Sequence, residues 1–110
     1  MKFSVFELPR AIADKRHIFE WIYERSPSGA GAWLDAYDVM VARLKEHADG
    51  FSEALENADC RIDVKQAMFK TRYGRVYRAL FTIEDGRVYI LRVRGPGQAP
   101  VDPGEFSALK

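Results

Sequence analysis

The dipeptide Asp85-Gly86 constrains the fold of this chain more than any other local feature. It separates two runs rich in β-branched and aromatic residues, Arg75–Ile83 and Arg87–Arg94. A two-residue connection of this kind needs positive φ at both positions, which Asp and Gly adopt at low cost, and its twist suits antiparallel strands. The sequence therefore predicts a β-hairpin in the C-terminal half of the chain.

Two further strands are predicted on either side of a helical region. Val64–Phe69 is apolar and β-prone, and the looser turn Lys70–Gly74 connects it to the hairpin, which gives a three-stranded antiparallel meander. At the other end of the chain, Lys2–Leu8 is short, aromatic and β-branched, and Pro9 ends it. We expect it to form an N-terminal strand.

Between these strands the apolar residues recur at helical spacing. One predicted helix runs from Pro9 to about Arg25, and a second follows Ser26, which is a suitable N-cap with Pro27 at the first helical position. The second helix should end at Asp49-Gly50, with Gly50 in the left-handed conformation. Because the connection is so short, the helices should lie antiparallel. The apolar stripe of the second helix consists of Ala30, Trp33, Leu34, Tyr37, Val41, Leu44 and Ala48.

The length and composition fit one folded domain over residues 1–110. The chain has 47% hydrophobic and 13% aromatic residues with a net charge of +1, unlike a disordered segment. No apolar run approaches the ~20 residues that a membrane span needs, and no signal peptide is evident. The lone Cys60 fits a reducing cytoplasm. A short final helix is predicted after Asp102-Pro103, with Glu105 completing a capping box and Leu109 near its end.

The predicted fold class is therefore α+β. The N-terminal strand, the antiparallel helix hairpin and the meander would form one mostly antiparallel sheet packed on the helices. By alternation, Tyr77, Ala79, Phe81 and Ile83 should face the helices, as should Tyr89, Leu91 and Val93. The opposite face should be open and should carry Arg78, Arg92 and Arg94.

Charge is distributed unevenly along the chain. Residues 1–60 hold seven basic and eleven acidic residues, whereas residues 61–94 hold nine basic and three acidic ones. A basic half indicates an anionic partner such as nucleic acid, which arginine binds through a fork of donors that matches phosphate. An alternative stays open, in which these arginines pair with the acidic half of the same chain or with an acidic protein.

Other kinds of site have little support in the sequence. His17 and His47 fall on different predicted helices and no His/Cys spacing suits a metal, so neither a metal site nor a cofactor is expected. There is no phosphate-binding glycine loop and no motif for a nucleophile with its base. Metal-free RNA cleavage would be chemically feasible with arginine, lysine and tyrosine side chains.

Two strand motifs carry a family resemblance. The runs Tyr77-Arg78-Ala79-Leu80-Phe81 and Val88-Tyr89-Ile90-Leu91-Arg92-Val93 follow a strand and two helices, with Ser26-Pro27 before the second helix. In this order, over residues 2–98, the sequence resembles the RelE/ParE superfamily of bacterial type II toxins. The resemblance implies a toxin that inhibits translation or replication at the ribosome and mRNA or at DNA gyrase. It also implies a cognate antitoxin that neutralises the toxin, as in plasmid-stabilisation systems.

The resemblance also suggests site residues. Arg78 matches the strand arginine that nuclease members use on the substrate phosphate. Lys65 falls where a basic residue of the preceding strand often lies in these members. Arg72, Arg75, Arg92 and Arg94 are the candidate nucleic-acid-binding residues. After the last strand, however, Gly95 and Gln98 stand where nuclease members carry His and Arg, so we expect weak or absent cleavage. A ribosome-dependent endoribonuclease with an altered site and a non-toxic binding module of the same fold remain the alternatives.

Overall fold

A computed structural model describes residues 2–59 and 62–107 of the chain. Its main elements come in the predicted order of strand, two helices, three strands and a short helix. Cys60 and Leu109 lie outside the described residues. The elements are β1 (Ser4–Glu7), α1 (Pro9–Arg25), α2 (Pro27–His47), β2 (Lys65–Phe69), β3 (Tyr77–Glu84), β4 (Arg87–Arg94) and α3 (Gly104–Ser107).

Ser26 ends one helix and begins the next, as the sequence predicts. Its backbone N–H donates to the carbonyl of Ile22 at 2.7 Å, and its Oγ accepts from the N–H of Gly29 at 3.0 Å. These two bonds satisfy backbone groups that helix termini otherwise leave unpaired. The helix hairpin therefore turns through a single residue.

The end of α2 differs from the prediction. Gly50 is absent from the residues with positive φ, and the helix tightens instead into a 3-10 turn over Ala48–Gly50. The N–H of Phe51 donates to the carbonyl of Ala48 at 3.3 Å, so this carbonyl is satisfied without a left-handed residue. The predicted left-handed cap at Gly50 is therefore wrong.

The strands form one four-stranded sheet in the order β1-β4-β3-β2. β1 runs parallel to β4 because the helix hairpin carries the chain back across the sheet, and the other pairs are antiparallel. Asp85 and Gly86 have φ values of 51° and 75°, which confirms the predicted hairpin turn. The sheet is mostly antiparallel, and the α+β class is confirmed.

The main core lies between the sheet and the helices. Trp33, Tyr37, Met40 and Leu44 of α2 are almost completely buried, whereas Leu34 and Val41 of the predicted stripe are half-buried at its edge. Met40 was not in the predicted stripe. On the sheet the buried members of this core are Ala67, Phe69, Ala79, Phe81, Val88, Ile90 and Val93.

A bulge in β4 changes which residues face the helices. Phe81 pairs with Ile90 but Leu80 pairs with Arg92, so Leu91 is an extra residue between the two pairs. Ile90 therefore packs in the main core, and Leu91 packs on the opposite face. The predicted helix-facing set of β4 is right for Val93 and wrong for Leu91 and Tyr89; the ring of Tyr89 stacks on Phe6 at 5.6 Å.

The sheet face opposite the helices is covered at its centre. The chain folds back after β4, and Val101 and Phe106 pack with Ala54 and Leu80 in a second buried cluster. The prediction of an open face is wrong there, because Leu80 and Leu91 present apolar surface that the C-terminal segment, residues 95–107, buries. In α3, the N–H of Gly104 donates to Asp102 Oδ1 at 2.9 Å as predicted.

No helix in the described part of the chain is both long and apolar enough to cross a membrane.

Candidate functional site

Arg78 lies on β3, on the sheet face away from the helices, and forms an ion pair with Glu56. Its Nη1 and Nη2 atoms donate to Glu56 Oε1 and Oε2, each at 2.8 Å. The side chain of Glu56 is 1% exposed and that of Arg78 15%. The fork that would hold a substrate phosphate thus holds a carboxylate of the same chain.

Glu56 also anchors the C-terminal segment. The backbone N–H of Val101 donates to Glu56 Oε2 at 2.8 Å. Burial raises the pKa of Glu56, but the hydrogen bonds from Arg78 and Val101 outweigh it and hold that pKa below its usual value. The carboxylate therefore stays ionised, and it joins β3 to the chain that covers the sheet.

Lys65 does not meet Arg78. Lys65 pairs with Phe81, which faces the helices, whereas Arg78 pairs with Met68 on the other face. The Nζ of Lys65 donates to the carbonyl of Phe51 at 2.9 Å. The two residues suggested as catalytic by the family resemblance are thus on opposite faces of the sheet, and each is bonded within the chain.

Arg92 forms the densest polar contacts of the sheet. Its Nε and Nη2 donate to Asp14 at 2.6 and 3.0 Å, and its Nη1 donates to both carboxylate oxygens of Glu105 at 2.8 and 3.0 Å. The hydrogen bond to Asp14 raises the pKa of Arg92 despite its burial. The Glu105 carboxylate accepts from Arg92 and not from the Asp102 N–H in the described part of the chain, so the predicted capping box is only half formed. Arg92 thereby ties α1, β4 and α3 together.

Arg94 is half-buried, and its Nη2 donates to the carbonyl of Ala99 at 2.6 Å. Burial lowers the pKa of Arg94, and the neighbouring cation of Arg92 lowers it further. Arg94 therefore supports the start of the C-terminal segment.

Arg72 and Arg75 are exposed, in contrast to the other basic candidates. They lie in the loop between β2 and β3, with Arg72 5.2 Å from the centroid of the Tyr73 ring. Arg78 and Arg92 pair with carboxylates of the acidic half of the chain, as the alternative interpretation of the charge split predicts. That interpretation does not account for Arg72 and Arg75, which form no ion pair with the described residues.

Gly95 and Gln98, the positions for which the family resemblance implies His and Arg in nucleases, form a turn. Pro96 and Gly97 occupy its central positions, Gly97 has φ 81°, and the Gln98 side chain accepts a hydrogen bond from the Gly95 N–H. A Cβ on Gly95 would lie 2.9 Å from a ring carbon of Tyr77. The Tyr77 ring thus occupies the space that any side chain at this position would enter.

The ion pairs of Asp14 and Glu56 have no local signal in the sequence, and Glu105 was predicted only as part of a helix cap. Asp14 is 78 positions from Arg92 and Glu56 is 22 positions from Arg78, so no local pattern links them. The only signal was the charge split, which indicated that acidic residues were available for pairing. Among the described residues there is no group of three or more His, Cys, Asp or Glu side chains placed to hold a metal ion.

Comparison with solved structures finds this fold in a toxin–antitoxin system. A chain of the chromosomal ParDE toxin–antitoxin system of P. aeruginosa superposes with a TM-score of 0.66 and 17% identity, over 86% of this chain and 96% of that one. No protein-family model and no curated protein matches the sequence. The chain thus has the fold that its resemblance to the RelE/ParE superfamily predicts.

Proposed function

We propose that this protein is the toxin of a type II toxin–antitoxin system. The observation that carries the proposal is the fold shared with the P. aeruginosa ParDE chain over nearly all of that chain. The ordered strand motifs around Arg78 and Arg92 support it independently of the superposition. The toxin would act in the cytoplasm on the translation or replication machinery, at the ribosome and its mRNA or at DNA gyrase.

The geometry favours inhibition by binding over inhibition by RNA cleavage. A cleaving site needs donors free to stabilise the charge that develops on the scissile phosphate. Here the Arg78 fork is taken by a buried carboxylate, and Lys65 lies on the other face of the sheet. At Gly95 there is no side chain to move a proton, and the Tyr77 ring fills the adjacent space.

Exposed apolar groups on α1 support the proposal of an antitoxin partner. Ile12 and Tyr23 are 48% and 52% exposed, and the ring of Phe19 stacks on Tyr23 at 5.8 Å. Their spacing of seven and four places them along one stripe of the helix. Aromatic and aliphatic groups of this kind form the centre of protein interfaces. The antitoxin would cover this stripe.

The proposal is tested by inducing the chain in bacteria, alone and together with the small gene next to it. We expect growth to stop when the chain is induced alone and to resume when both are expressed. A matched control carries a stop codon at Ser26, which leaves the transcript but removes the protein. Normal growth at verified soluble expression would instead favour a non-toxic binding module.

Labelled precursors then separate the two targets. Incorporation of thymidine should fall first if replication is inhibited, and incorporation of leucine should fall first if translation is inhibited. If neither falls before growth stops, neither target is correct.

A further inference from the structure

Within residues 62–94, the loop between β2 and β3 holds a group of basic side chains that form no ion pair with the described part of the chain. Residues 64–83 contain no Asp or Glu, and the loop itself reads Lys70-Thr71-Arg72-Tyr73-Gly74-Arg75. Lys70, Arg72 and Arg75 are exposed. Arg78 and Arg92 stabilise the fold through ion pairs with carboxylates of the same chain, whereas the loop arginines present positive charge to solvent.

Tyr73 stands at the tip of this loop and is 88% exposed. Its ring contributes almost nothing to either core, and the guanidinium of Arg72 lies 5.2 Å from the ring centroid. An aromatic face beside guanidinium groups is the combination that single-stranded nucleic acid uses, because a base stacks on the ring while the cations contact phosphates. Tyr73 thus offers a stacking surface that folding does not require.

The tip of the loop forms a β-turn. The N–H of Gly74 donates to the carbonyl of Thr71 at 3.2 Å, which closes a β-turn with Arg72 and Tyr73 at its two central positions. A side chain at Gly74 would collide with Thr71 Oγ1. A turn that is formed before binding loses less conformational entropy when it binds a ligand.

We propose that the loop 70–75 binds single-stranded nucleic acid, with a base stacked on Tyr73 and flanking phosphates held by Arg72 and Arg75. An acidic protein fits this surface less well, since a stable protein interface takes roughly 800 Å² from each partner and a six-residue loop tip presents little apolar surface beyond Tyr73. The inference goes beyond the proposed function, because nucleic-acid binding by this loop does not depend on toxicity.

The test measures binding of a fluorescein-labelled twelve-nucleotide oligouridylate to the full chain by fluorescence anisotropy, at several salt concentrations. Tyr73→Ala should weaken binding roughly 5- to 150-fold, the loss expected for one base stack. Tyr73→Phe, which keeps the ring, should bind as the unmutated protein does. The double variant Arg72→Ala/Arg75→Ala should lower the slope of log K against log salt by about 1.4, for two phosphate contacts on a single strand.

Arg87→Ala is the matched control, since Arg87 is an exposed arginine at the opposite end of the meander. It should leave both the affinity and the salt slope unchanged. The proposal is overturned if the unmutated protein does not bind the oligonucleotide in 50 mM salt, or if Arg87→Ala weakens binding as much as the loop variants do. Binding of a polyglutamate peptide in place of RNA would overturn it in favour of an acidic protein partner. The growth test remains a separate readout, so loss of RNA binding with intact toxicity leaves the proposed function standing.

Discussion

Replacing Arg78 by methionine removes the cation that neutralises a buried carboxylate. Glu56 is 1% exposed and accepts two hydrogen bonds of 2.8 Å from the Arg78 fork. Deleting one partner of a buried ion pair leaves an uncompensated charge, which typically costs about 3–5 kcal/mol. A domain of this size has a total free energy of unfolding of about 5–15 kcal/mol. Arg78→Met should therefore be among the most destabilising single changes on the sheet.

A double variant, Arg78→Met/Glu56→Gln, also removes the negative charge of Glu56. Glu56→Gln keeps an oxygen that accepts from the N–H of Val101, and in combination with Arg78→Met it leaves no buried ion. The double variant should be more stable than Arg78→Met alone because its buried group is neutral, and the coupling energy between the two substitutions should be about 0.5–3 kcal/mol, as is typical of residues in contact. Urea unfolding followed by the fluorescence of buried Trp33 measures both values.

The pH dependence gives an independent check on the same pair. In the unmutated protein the folded pKa of Glu56 is lowered, so its contribution is present above the unfolded pKa and is lost as the pH falls through the folded pKa. In Arg78→Met the bonds from Arg78 are lost while burial and the backbone hydrogen bonds to Glu56 remain, so the folded pKa of Glu56 rises from its value in the unmutated protein, and the variant should lose less stability than the unmutated protein as the pH falls through the acid range. The reasoning fails if Arg78→Met costs less than ~1 kcal/mol or loses as much stability as the unmutated protein over this range.

Three other predictions follow from packing and exposure. Leu44→Ala should lower the free energy of unfolding by about 2–5 kcal/mol, because Leu44 is fully buried in the main core, and urea unfolding measures this. Gly95→Ala should lower the melting temperature, since its Cβ would lie 2.9 Å from the Tyr77 ring; an unchanged melting temperature would show that the ring moves aside freely. Ile12→Asp should leave toxicity intact and weaken rescue by the antitoxin, measured as colony counts under co-expression, because it charges the exposed stripe of α1.

The helices and the hairpin could be predicted because their signals are local. Ser26 and Pro27 fix the helix hairpin through backbone bonds within a few residues, and Asp85-Gly86 fixes the turn through positive φ. The side-chain faces of β4 were predictable in part. A two-residue turn pairs Ile83 with Val88, so Val88 had to share the helix-facing side of Ile83. Tyr89 follows Val88 along the strand and therefore lies on the opposite side.

The bulge and the polar contacts could not be predicted from the sequence. The extra residue Leu91 resets the alternation of β4, and nothing in the apolar run Val88–Leu91 marks where it occurs. The partners of Arg78 and Arg92 come from distant segments, so their pairing depends on the complete fold. Counting charges indicated a basic half. Only the folded structure distinguishes the arginines that form ion pairs within the fold from those of the loop 70–75.

The most direct test of the central claim maps the 5′ ends of cellular RNA by sequencing while the induced protein stops growth. A toxin that inhibits by binding should arrest growth without new, codon-positioned 5′ ends in mRNA, and the neighbouring gene should relieve the arrest. Cuts at defined codon positions would contradict inhibition by binding and would require a working nuclease despite the Arg78–Glu56 pair. Unimpaired growth at verified soluble expression would contradict the proposal that the protein is a toxin.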